Sequence, residues 1–189
     1  MSYEFADGYK IRDQYGLYFM TFTVVGWIDL FSRKIYRDLF IKNMQYCREH
    51  KDLSVGAFVP IAIGMTNHVH VIWQSKCGKL SDTIRDFKSF STKEYIQTIE
   101  RENESREEWL MHMFRFYAKA TNRNKEFKIW ISGSHPEEIT SHDFLMTKLN
   151  YIHENPVRAG WVDIPEHYLY SSASNYITGK GLMEIDYLL

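Results

Sequence analysis

The chain has 189 residues, 44% of them hydrophobic and 25% charged, which fits one globular domain with room for a core. Four prolines and ten glycines leave little scope for disorder or low complexity. A formal charge of −1 excludes a protein that coats nucleic acid over its whole surface, but a local basic face stays open, since residues 115–128 balance to +4 and residues 100–108 to −3.

The longest apolar stretch, Val55 to Met65, contains Gly56, Pro60 and Gly64 and is too short to span a bilayer. The N-terminus has no basic segment followed by an apolar one, so no secretory signal is expected. Cys47 and Cys77 lack metal or redox spacing and read as reduced residues of a cytoplasmic protein.

In chain order, Leu17 to Val25 is rich in aromatic and β-branched residues and predicts a strand. Apolar residues at Ile35, Leu39, Phe40 and Met44 recur at helical spacing and predict a helix from Arg33 to Glu49. Two strands follow, Ser54 to Ile63 and Asn67 to Gln74, joined through Gly64-Met65-Thr66 as a hairpin. Ser81 is the expected N-cap of a helix running past Ile99, with Ile84, Phe87, Phe90 and Tyr95 as its apolar stripe. Residues 100–125 read as an irregular or helical insertion, and Glu126 to Ile131 as a fourth strand. Thr140 to Asp143 offers caps for a last helix, expected to end near Asn155 because Pro156 disfavours helical backbone before it. A tail with short elements starts near residue 163. The order β-α-β-β-α-β-α predicts a single α+β domain, residues 1–189, with an antiparallel sheet and helices packed on one face.

Chemistry concentrates in two stretches. In Asn67-His68-Val69-His70-Val71 the two histidines point to one side of a strand, about 6.5–7 Å apart, while the valines enter the opposite layer. Such a pair can close on one metal ion; the bland alternative is two polar residues on an exposed strand face. In Tyr151-Ile152-His153-Glu154-Asn155-Pro156, helical spacing places Tyr151 and Asn155 together, and Ile152 on the buried stripe with Leu145 and Leu149. A phenol near pKa 10 needs a base, or a metal on its electrophile, before it attacks at neutral pH. The Asn155 carboxamide oxygen is a hard donor able to complete a two-histidine site for Mg²⁺ or Mn²⁺, though asparagine also suits a helix C-terminus.

These residues resemble the HUH single-tyrosine transposases, and more closely their REP-associated relatives. The matching stretches are GMTNHVHVIW (64–73), LSDTIRDFKSFST (80–92), KLNYIHENPVRAGWV (148–162) and YSSASNY (170–176), within a layout covering residues 15–176. The resemblance implies an RRM-like antiparallel sheet, a divalent metal held by His68, His70 and Asn155, and Tyr151 as nucleophile. It further implies attack on a phosphodiester of hairpin-bearing single-stranded DNA, giving a 5′-phosphotyrosine link, by a monomer or a homodimer. Thr66 and His153 depart from the pattern, where proline and an acidic residue are usual.

Arg85, Lys88, Ser89 and Lys93 interleave with Phe87, Phe90 and Tyr95, a pattern that suits phosphate contact with base stacking; a solvated amphipathic helix is the alternative. His135 reads as a turn residue and Glu154 as a possible partner of a histidine. A non-catalytic hairpin binder is the rival function. A histidine-triad hydrolase is excluded by Ile72, where a third alternating histidine would stand.

Overall fold

The computed structural model describes residues 10–60, 66–120 and 126–188. Its strands are β1 (Tyr18–Thr23), β2 (Leu53–Val59), β3 (His68–Ser75) and a two-residue β4 (Glu137–Glu138). They form an antiparallel sheet in the order β2-β3-β1-β4. The helices are α1 (Lys34–His50), α2 (Leu80–Arg101), α3 (Glu107–Lys119), α4 (His142–Arg158) and α5 (Ala173–Thr178). No helix among the described residues is long and apolar enough to cross a membrane.

Helices α1 and α2 cover one sheet face, as the sequence predicts. There Phe87 meets Phe22, Trp73 and Phe40 with ring centroids 5.8, 5.2 and 5.6 Å apart, a geometry that adds directional contact to apolar burial. Helix α4 does not join them. It lies on the opposite face, where Tyr151 meets Phe19 at 5.9 Å. The reason is legible in the burial of the strands: β2 is buried throughout and β3 at all but one position, so both faces need a cover. An alternating pattern with histidines on one side disguises that requirement.

The ladder between β2 and β3 slips between Val55 and Ala57. Gly56 sits at the slip with Leu188 of the tail against it, and a Cβ there would come within 2.2 Å of a Leu188 methyl. Asp186 closes the same edge, its N–H donating to the Val55 carbonyl at 2.8 Å.

Three boundaries differ from expectation. Glu126 to Ile131 is not a continuous strand, although it tracks the edge of β1. Val25 donates to the Ile129 carbonyl and Ile131 to that of Thr23, both at 2.8 Å, and Trp130 makes a single bridge with Val24. Left-handed backbone at Gly133 and His135 then breaks the run before it resumes as β4. Helix α2 starts one residue before Ser81, and the Gln14 carboxamide oxygen accepts from the Ser81 N–H at 2.9 Å. Helix α4 is capped by Ser141, which accepts from Phe144 N–H, and runs through Pro156 to Arg158. Proline so close to the helix end removes one hydrogen bond, and Ala159 still reaches the Asn155 carbonyl at 3.0 Å. The hairpin residues Gly64 and Met65, the end of the second expected strand (61–63), and Arg123 and Lys125 lie outside the described residues.

The insertion holds α3. A buried carboxylate, Glu104, ties the α2–α3 connection to α1 by accepting from Arg33, from the Tyr36 hydroxyl at 2.7 Å and from the Arg106 N–H at 3.2 Å. Burial pushes its pKa up, but the bonds from Tyr36, Arg33 and Arg106 outweigh it and hold the group down to about 2.

Candidate active site

The β1–β3 register builds the site. Thr21 stands opposite His70 and Thr23 opposite His68, so these four side chains and Phe19 share one sheet face. The His70 ring stacks on Phe19 with centroids 5.5 Å apart. Its Nδ1 lies 3.0 Å from Thr21 Oγ1, and Nε2 faces Tyr151 Oη at 3.5 Å. His68 is fixed in a parallel way: its Nδ1 meets Asn67 Oδ1, while Asn67 Nδ2 donates to the Trp27 carbonyl at 2.7 Å. Because a carboxamide oxygen only accepts, His68 carries its proton on Nδ1 and leaves Nε2 with a lone pair.

Both imidazoles are neutral at ordinary pH. Desolvation pushes His70 down to about 3, helped by His68 and the Lys148 ammonium. Desolvation, with His135 nearby, also lowers His68. Their exposures of 5% and 9% overturn the picture of an exposed polar strand face.

Helix α4 brings the second half. Ile152, Leu149 and Leu145 are buried as its spacing predicts, which fixes the rotation that sends Tyr151 to His70, ring centroids 5.1 Å apart. Asn155, one turn on, is wholly buried. One turn back, Lys148 Nζ lies 4.3 Å from the Phe19 ring centroid and donates to Glu137 Oε1 at 2.8 Å. Lys148, Thr21 and Trp27 escape a reading of sequence motifs, because only the register and the helix rotation bring them to the pair. His153 turns away: its Nε2 lies 3.0 Å from Ser172 Oγ, and burial lowers it to about 4. His153 therefore serves the join between α4 and the tail.

The four residues expected to meet DNA lie apart from this cluster. Arg85, Lys88, Ser89 and Lys93 line a groove of about 800 Å³ between α2 and residues 126–134, on the other face of the sheet. Their settings differ. Lys88 is sunk over the Phe22 ring at 5.0 Å and donates to the carbonyls of Ile131 and Gly133, and desolvation, with Lys128, pushes it down to about 7. Arg85 is paired with Asp82 and Asp86. Lys93 is exposed.

The donor set fits a divalent ion that accepts nitrogen and oxygen ligands. Each histidine has its Nδ1 engaged by an oxygen of the protein, the arrangement that orients an imidazole to present Nε2 to a metal. Burial keeps both rings in the neutral, ligating form. Among the described residues no three of histidine, cysteine, aspartate or glutamate gather as a metal cage, so a third donor from among them would be an amide or hydroxyl oxygen.

Neither a family model nor a curated protein matches the sequence. Among solved structures the fold is similar to that of a REP-associated tyrosine transposase bound to a REP hairpin. The TM-score is 0.56 at 20% identity, over 100% of this chain and 92% of that one. The likeness establishes the mixed α+β architecture with its four-stranded antiparallel sheet.

Proposed function

We propose that the protein is a metal-dependent DNA strand transferase that cleaves and rejoins hairpin-bearing single-stranded DNA through Tyr151. The observation that carries this reading is the meeting of Tyr151 Oη with His70 Nε2 at 3.5 Å, across elements 81 residues apart. A binding module has no need for a phenol aimed at a buried, oriented imidazole pair. The solved relative, itself a tyrosine transposase on a hairpin, lends the reading its substrate class.

His68, His70 and Asn155 would hold Mg²⁺ or Mn²⁺, which when bound supplies charge neutralisation at the scissile phosphate. Tyr151 gives up its phenol proton as Oη bonds to phosphorus, the bond to O3′ breaks, and the leaving oxygen takes up one proton as the free 3′-hydroxyl, so no net proton is consumed. Attack by another 3′-hydroxyl reverses the step and releases the tyrosine, so bond energy is conserved in the phosphotyrosine link. Phe19 and the α4 rotation keep the phenol in place, and positioning of this kind is the main catalytic resource in phosphoryl transfer. Arg85, Ser89 and Lys93 would meet backbone phosphates along the α2 groove, with Lys88 holding the groove wall through Ile131 and Gly133.

Incubation with labelled hairpin single strands and Mn²⁺ should give a protein–DNA adduct that survives denaturing electrophoresis and is absent with Tyr151→Phe. Hairpin binding without adduct, across metals and sequences, would instead favour the non-catalytic regulator.

A further inference from the structure

We propose that Trp27 is a stacking platform for an unpaired nucleobase beside the phosphate at the His68–His70 face; the inference rests on the reading above. Trp27 is 56% exposed, although it adjoins the buried histidines. Its ring centroid lies 4.9 Å from that of His68, with the planes 65° apart. Core packing does not account for an indole left this open.

The backbone beneath it is held in an unfavourable form. Trp27 has φ 57°, in the left-handed region that bulky residues rarely adopt, and Gly26 before it has φ 62°. Several contacts enforce this shape. Tyr117 packs so closely on Gly26 that a Cβ there would come within 2.6 Å of its ring. Trp27 N–H donates to the Val24 carbonyl at 3.3 Å. Asn67 then joins the turn to the site, since one carboxamide binds the Trp27 carbonyl through Nδ2 and His68 through Oδ1. The same group therefore ties the backbone that carries the indole to the imidazole.

An exposed indole on a constrained turn next to a phosphate site is chemically matched to one ligand, the flat face of a base from a strand that lacks its complement. Stacking of that kind tolerates any base, because every base has a π-face. It would fix the nucleotide next to the scissile phosphate without reading its identity.

The test uses full-length protein carrying Tyr151→Phe, so that binding is read without cleavage. Two probes are compared by fluorescence anisotropy: a DNA hairpin with short thymidine flanks on both ends, and the same hairpin with abasic flanks. Trp27→Leu should weaken binding of the thymidine-flanked hairpin about tenfold and leave the abasic one unchanged. Trp27→Phe, which keeps an aromatic face and controls for folding, should recover most of the loss. An equal loss on both probes, or none on either, overturns the platform while leaving the Tyr151 chemistry standing. If no variant binds either hairpin, the DNA reading fails and this inference fails with it.

Discussion

At the residue scale, two neutral imidazoles lie on one sheet face, each with its Nδ1 engaged by an oxygen of the protein. The alternation in HVHVIW is enough to place His68 and His70 on one side of a strand. It carries no information about Thr21, which reaches His70 only through a strand pairing across 49 residues. Lys88 is the opposite case. Its type and spacing suit phosphate contact, but the sequence does not register how deep it sits or that two carbonyls occupy it. Thr21 gives a direct test of the histidine geometry. Thr21→Val removes the oxygen at His70 Nδ1 while keeping shape, and should weaken Mn²⁺ binding about tenfold by calorimetry, with Thr21→Ser restoring it. Equal affinities in the three proteins would show that His70 is not oriented from β1.

At the element scale, helix caps and apolar stripes were readable where the determinants are local, as in Ser141 and the Leu145, Leu149, Ile152 stripe of α4. Boundaries set by distant side chains were not. Gln14 accepts from the first turn of α2, and the left-handed residues Gly133 and His135 separate the 126–131 segment from β4. Glu104 is another long-range determinant, closing α1 onto the α2–α3 connection. Its folded pKa of about 2 lies below the ordinary carboxylate value, so the folded protein binds fewer protons than the unfolded chain between the two. The stabilisation is therefore complete above about pH 4.5 and is lost as pH falls toward 2. Glu104→Ala should cost about 3 kcal/mol in urea unfolding near neutral pH, as expected for removing one member of a buried ion pair. The gap from wild type should narrow as the pH is lowered to about 3. A gap independent of pH would mean that Glu104 is not ionised in the fold.

At the scale of the whole molecule, two layers of helix enclose one sheet, and the two functional regions sit on opposite faces of it. The His68, His70 and Tyr151 cluster lies under α4, and the basic groove lies beside α2. Residues 126–134, which line the groove, are braced from within by Lys88. The resemblance of separate motifs hides this division, because sequence order says nothing about which face a segment serves. Groove contacts should then contribute affinity without entering the chemistry. Lys93→Ala should reduce the slope of log affinity against log salt by about 1, with adduct yield at saturating hairpin unchanged. A loss of yield at saturation would place Lys93 in the cleavage step instead.

Peptide mapping of the trapped adduct reads whether Tyr151 becomes bonded to DNA phosphate. After incubation with hairpin single strands and Mn²⁺, then nuclease and trypsin digestion, the nucleotide mass should reside on the peptide spanning residues 149–158, at Tyr151. Nucleotide on any other tyrosine, or an adduct persisting in Tyr151→Phe, would contradict the account.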